Sequence, residues 1–233
     1  PLLQLNPGEV LINFMIEHIR RFLESPVEKT RDTFTRLYGS DDFRQRLATI
    51  PPEDRDDEAV REYVRVVKRA GAFDFSSIAV VLHPNDNRRF FYLPYLTRHP
   101  KGVEVFKTAE KRSMPEMEQL RASVKQRSRT GRTRQPELFE AHEVHNPEYF
   151  ESLRQKSLDA AFDDVSAMLN AGVTAYDDAW ARALQWPLVW ETDLRDWIKD
   201  WEESGRLVVE GRRPRDRVLK RGTGIVLRQE AST

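Results

Sequence analysis

FDFSSIAVVLHPNDNRRFFYLPYLTRHPKGVEVFKTA, residues 73–109, decides how the rest of the chain is read. Residues 77–82 and 89–96 are rich in β-branched, aromatic and leucine side chains, the types that suit a pleated, half-buried surface. Between them, His83, Pro84, Asn85, Asp86 and Asn87 supply turn chemistry. The pattern predicts an antiparallel hairpin, closed by the polar TRHPKG at residues 97–102 and followed by a new helix. No complete active site is visible along the chain, so activity rests on weaker signals than architecture does.

Upstream, EVLINF at residues 9–14 is a short apolar run of the kind that forms a strand buried on both faces. Ile16, Ile19, Phe22 and Leu23 then recur at helical spacing up to a Ser-Pro stop. A helical insert at residues 25–70 separates this helix from the hairpin. Within it, a helix at 30–38 is stopped by Gly39, and a second at 41–48 is broken by Pro51 and Pro52. A third, at 56–70, has acids in its first turn, Lys68 and Arg69 in its last, and Gly71 beyond. The order strand, helix, insert, helix, hairpin predicts a partial, Rossmann-like α/β sheet, the second half of a doubly wound fold whose last strand is antiparallel. Three strands are few for such a sheet, and its cover would be thin.

Downstream the chain turns basic. Residues 107–134 hold nine Lys or Arg against three Glu. KQRSRTGRTRQP, residues 125–136, has no apolar period and reads as an exposed linker, either a phosphate-contacting arm or a solvated loop. We expect a basic linker at 113–148, a connecting helix at 149–172 and a second domain at 173–233. In that domain Thr174 and Thr192 are candidate caps for two helices, followed by RLVVE (206–210), a long loop and GIVLR (224–228). Helix, turn, helix, strand, basic loop, strand is the order of an α+β winged helix. Its loop carries Arg212, Arg213, Arg215, Arg217, Lys220 and Arg221 against Asp216, which suits phosphate contact and makes these the candidate nucleic-acid-binding residues. The preceding helix argues for protein docking instead, since Glu191, Asp193, Asp196, Asp200, Glu202 and Glu203 outnumber Arg195 and Lys199 there. Trp180, Trp186, Trp190, Trp197 and Trp201 are also more than a sixty-residue core should absorb, which points to a neighbouring surface.

The composition narrows the field. Lys and Arg total 38 and so do Asp and Glu, so no global charge recruits nucleic acid or an anionic membrane. No apolar run is long enough to span a bilayer and no leader is visible, so no membrane partner is expected. The absence of cysteine removes disulfides and thiolate metal sites, and a cytoplasmic location follows as the default. His142 and His145 lie in a polar stretch and read as solvated surface rather than a zinc pair, so no metal is expected. There is no glycine-rich phosphate loop or nucleophile elbow. The acid pairs Asp41-Asp42, Asp56-Asp57 and Asp177-Asp178 sit at expected helix starts, where capping explains them. The weak catalytic candidates are Asn13, at the carboxyl end of the first strand, with Arg98 and His99 after the last. Helix capping and hairpin closure explain the same three residues.

EVLINFMIEHIRRFL (9–23), KRAGAF (68–73), FYLPYLTRHPKGVEVFK (91–107) and WETDLRDWIKDWEESGRL (190–207) together resemble the three-Cys-motif partner proteins (TcmP). These are methyltransferase-like proteins of bacteria with a winged-helix tail. The resemblance implies that residues 1–112 are the second half of a class I methyltransferase-type domain, with residues 9–14 as strand five and the hairpin as strands six and seven. It also implies a partner with a three-cysteine motif and a setting in mobile elements or phage defence. The glycine-containing first strand and acidic motif that would bind S-adenosylmethionine have no counterpart here, so no cofactor is expected for this chain unless a missing N-terminal half is supplied. Pro1 fits either a fragment of a longer chain or removal of an initiator Met. The expected role is thus the C-terminal portion of a methyltransferase-like protein with a docking or nucleic-acid-binding tail; the alternative is a non-enzymatic DNA-binding regulator or adaptor. A self-paired homodimer could complete the sheet at its open edge.

Overall fold

The computed structural model describes residues 2–23, 25–40, 42–133, 147–213, 216 and 218–229. The chain divides into two compact units, Pro1–His145 and Asn146–Thr233. Each mixes helices with a three-stranded antiparallel sheet. Among the described residues no helix is long and apolar enough to cross a membrane.

In the first unit the expected hairpin is β2 (Phe75–Leu82) and β3 (Arg89–Thr97), with Ile78 opposite Pro94 and a bulge between Val81 and Leu82. The first strand, β1 (Glu9–Leu11), joins the other side of β3, giving the order β1-β3-β2 with β3 antiparallel to both neighbours. The strand predicted over residues 9–14 is therefore shorter, and its partner explains why. Ile12 donates to the Pro94 carbonyl at 2.9 Å, but Pro94 has no N–H to return, so the ladder breaks there. Pairing resumes once, where Phe14 and Tyr92 exchange both bonds at 2.9 and 3.1 Å. Nor is β1 buried on both faces: Val10 is buried, while Glu9 and Leu11 are exposed.

Helices α1 (Ile16–Leu23), α2 (Glu28–Tyr38), α3 (Asp42–Thr49) and α4 (Pro52–Ala70) follow β1, close to the predicted insert. Gly39 ends α2 in the left-handed region, at φ 73°, and returns its N–H to Thr35. Phe34, Tyr38, Phe43 and Tyr63 stack into one aromatic cluster that fastens the insert together. After the hairpin, α5 runs from Pro100 to Thr133, straight through Pro115. The linker expected at 113–148 is thus helix as far as residue 133; residues 134–146, with His142 and His145, lie outside the described residues, and Glu148 already opens the next helix. The missing apolar period misleads here because the inward face of α5 is partly polar. Arg121 is buried and donates to the carbonyls of His83 and Asp86 and to Asn87 Oδ1, at 3.1, 3.3 and 3.1 Å, gripping the hairpin turn.

The second unit comprises α6 (Glu148–Asn170), β4 (Thr174–Ala175), α7 (Tyr176–Ala183), α8 (Glu191–Glu203), β5 (Leu207–Glu210) and β6 (Val226–Gln229). Its sheet has the order β4-β6-β5. The helix expected to connect two domains belongs to this unit: Leu153, Ala161, Val165 and Leu169 of α6 are buried in it. That packing also accounts for the tryptophans. Phe162 of α6 meets Trp197 and Trp201 at 5.6 and 5.0 Å, and Asp164 accepts from Trp186 Nε1 at 3.1 Å. Arg154 lies 4.3 Å above Trp190, and Trp180 is fully buried. Trp180, Trp186 and Trp201 are buried within the unit, and Trp190 and Trp197 are half-buried. Neither threonine caps a helix as predicted: Thr174 lies in β4, and Asp193 rather than Thr192 accepts from the Trp190 N–H that opens α8, at 2.8 Å.

Candidate functional site

The loop between β5 and β6, residues 211–225, holds most of the predicted anion-contacting side chains, and the second unit fixes its returning half. Leu219 is buried, and its carbonyl accepts from Arg195 Nε on α8 at 3.1 Å. The Gly222 N–H donates to both carboxylate oxygens of Asp177, at 2.9 and 3.1 Å. Arg221 lies 5.2 Å above the Trp180 ring, and the Ile225 carbonyl accepts from Tyr176 N at 2.9 Å. Gly222 and Gly224 take φ values of 72° and 71°, which Cβ-bearing residues rarely adopt. Asp177 is thus not merely a capping acid, as its place at a helix start suggested; it is the tether of the loop. Among the predicted residues, Arg213 and Lys220 are exposed, Arg212 pairs with Glu202 at 3.0 Å, and Arg215 and Arg217 lie outside the described residues.

A groove of about 750 Å³ separates this loop from α8. Arg195, Lys199 and Arg212 line it beside Asp196, Glu202 and Glu203, so the groove itself is balanced in charge. The acidity of α8 is also smaller than its composition suggests. Glu191 accepts from Arg195 at 2.5 Å and from the Tyr176 hydroxyl at 3.1 Å, and Asp193 from Arg154 at 2.8 Å. Glu202 and Glu203 face Arg212 and Lys199. Asp196 and Asp200 remain exposed. Burial, with the Glu191 carboxylate second, raises the Tyr176 hydroxyl above the ordinary phenol range.

The weak catalytic candidates do not converge. Antiparallel pairing sets Glu9 opposite Thr97 and Phe14 opposite Tyr92, so Asn13 lies level with the middle of β3 while the pair Arg98-His99 lies beyond its end. Five residues of extended strand separate them, on the order of 15 Å. Arg98 joins the loops there, donating to the Gly71 carbonyl at 3.1 Å and to Asn6, and lying 5.8 Å from the Phe73 ring. His99 accepts from Lys101 N at 3.3 Å, within the start of α5. Both are structural closures.

A charged cluster instead lies beside the carboxyl end of β1. Asp56 and Asp57 sit in the second turn of α4, because that helix begins at Pro52 and not at Asp56. Capping does not explain them. Arg20 grips Asp56 with two bonds, one at 2.9 Å; Arg89 and the Tyr92 hydroxyl reach Asp57 at 2.6 and 2.5 Å. Burial holds the Tyr92 proton well above the usual range, and the hydrogen bond from Arg20 to Asp56 raises the arginine further. The legible signal was Pro51-Pro52: a proline fits the first turn of a helix, which moves both acids inward from the start. With each carboxylate paired, the cluster has the character of a brace.

Three cations of the basic stretch are committed inward, while Lys111, Arg112, Arg127 and Arg129 are exposed. Lys107 pairs with Glu110 at 2.9 Å inside the fold, Arg121 with Glu118 at 2.6 Å, and Lys125 reaches Asn87 at 2.9 Å. Among the described residues no group of three or more acidic or histidine side chains could hold a metal. No family profile, no curated protein and no solved structure matches this chain.

Proposed function

We propose that this chain is the sheet-end and winged-helix portion of a methyltransferase-like protein of the TcmP type, and that its second unit contacts nucleic acid through loop 211–225. The observation that carries the reading is the pinned returning half of the loop: exposed Lys220 rides on a segment held by Asp177, Arg195 and Trp180, and exposed Arg213 lies on the outgoing half. The order of α6 to β6, with the sheet order β4-β6-β5, is that of a winged helix and supports it. The order β1-β3-β2, with an antiparallel middle strand, agrees with the last three strands of a methyltransferase-type sheet. In the expected assembly further strands join the free side of β1.

S-adenosylmethionine does not fit the residues present. Doubly wound sheets take ligands at the carboxyl ends of their parallel strands. Here Phe14 closes the end of β1 by pairing with Tyr92 and packing 5.1 Å from Tyr63, and Arg121 fills the turn after β2. No methyl-transfer step is therefore assigned to this chain. Calorimetric titration of S-adenosylmethionine into the 233-residue protein should give no binding heat; saturable heat would put the cofactor within these residues.

For the loop, Arg213→Ala with Lys220→Ala should weaken binding of a short mixed-sequence duplex by about tenfold and flatten its salt dependence. Equal affinity for both proteins would sink the nucleic-acid reading. Asp196 and Asp200, outward on α8, favour a second reading in which this face docks a basic protein segment, as a non-enzymatic adaptor would.

A further inference from the structure

We infer that Asp177 is a positioning residue for nucleic-acid contact, holding the loop in the one arrangement that presents Lys220 to a duplex backbone; the inference rests on the reading of loop 211–225 proposed above. The argument begins with sign. A carboxylate next to a polyanion site ought to weaken binding by repulsion. Yet Asp177 stands at the base of the most basic loop in the protein, and both its oxygens face the Gly222 N–H at 2.9 and 3.1 Å. That bond fixes the chain two residues beyond Lys220 and one beyond Arg221, whose guanidinium lies 5.2 Å above Trp180. The adjacent glycines at φ 72° and 71° let the backbone turn sharply there, and the Thr223 hydroxyl closes the turn on the Lys220 carbonyl at 2.6 Å. Lys220 is left exposed on a backbone held from three sides.

The partner this fits is a duplex backbone met in a sequence-independent way. Exposed Asp200, with Asp196 lining the groove beside the loop, keeps α8 away from phosphates, so base edges are not read by that helix. A pre-positioned cation gives up less freedom on binding than one on a loose loop, and that difference is what Asp177 supplies.

The experiment compares wild type, Asp177→Ala and Asp177→Asn in the full chain by fluorescence anisotropy with a labelled mixed-sequence duplex and its scrambled version. Asp177→Asn keeps an oxygen for the Gly222 N–H and drops the charge; Asp177→Ala drops both. Losing the tether should weaken binding by roughly five- to tenfold for Asp177→Ala, about the net worth of one ordinary hydrogen bond. Asp177→Asn should bind as wild type or tighter, and both duplexes equally. If both variants bind more tightly, Asp177 acts only as a repulsive charge and the inference is overturned while the loop still binds duplex. Wild type that ignores the duplex overturns the reading beneath it as well. Should Asp177→Ala not fold, amide exchange at Gly222 in the wild-type chain decides: slowing on duplex addition supports the tether, and no change refutes it.

Discussion

Lys107→Met lowers the unfolding free energy by about 3–5 kcal/mol, whereas Lys107→Met combined with Glu110→Leu leaves it within about 1 kcal/mol of wild type or raises it. Side-chain exposure is only 4% for Lys107 and 0% for Glu110, and their ion pair is 2.9 Å long. Removing the lysine alone strands a carboxylate away from water, which is far worse than losing the pair. Removing both exchanges two desolvated ions for apolar packing against β2, where Lys107 also donates to the Ile78 carbonyl at 3.4 Å. Urea unfolding followed by far-ultraviolet circular dichroism measures all three proteins. A single variant that loses less than about 1 kcal/mol would mean that water reaches Glu110.

Asp56→Ala costs about 3 kcal/mol in the same experiment, because it removes the acceptor of two Arg20 bonds from a site where Arg89 is also within 4.0 Å. Arg20 has 45% of its side chain exposed and can rehydrate, but the Arg89 side chain is only 10% exposed and loses a nearby carboxylate. Asp196→Asn serves as the contrast: on an exposed face of α8 it should change stability by no more than about 0.5 kcal/mol. Equal effects from the two substitutions would show that the cluster beside β1 is solvated surface and not a brace.

Both predictions concern residues that the sequence placed in other roles. Lys107 counted toward the basic stretch 107–134, and Asp56 toward a helix cap. Lys107 finds its acid one turn away at Glu110, but only burial against β2 makes that pair matter, while Asp56 and Arg121 find their partners far along the chain. Asp56 meets Arg20 from 36 residues away, and Arg121 meets the His83 carbonyl from 38. The same holds for the candidate site. Local composition was enough to show that loop 211–225 is basic and that α8 is acidic. It could not show that Arg212 and Lys199 face two of those acids, or that Asp177 reaches Gly222 across 45 residues.

What the sequence by itself determined is what short-range physics controls. The β2-β3 hairpin follows from two β-prone runs around a turn, the insert helices from apolar spacing with Gly39, Pro51 and Pro52 as breaks, and the second unit's order from apolar spacing in its helices and the stop at Gly205. Tertiary structure alone decided the rest. It ended β1 at Leu11 because Pro94 on the facing strand lacks a donor, and it held α5 against the hairpin turn through Arg121 and Lys125. It drew α6 into the second unit because tryptophans there needed a cover, and it parted Asn13 from Arg98 and His99 because antiparallel register sets Asn13 against the middle of β3 and the pair beyond its end. In each case the deciding partner is distant in sequence and adjacent in space, where periodicity carries no information.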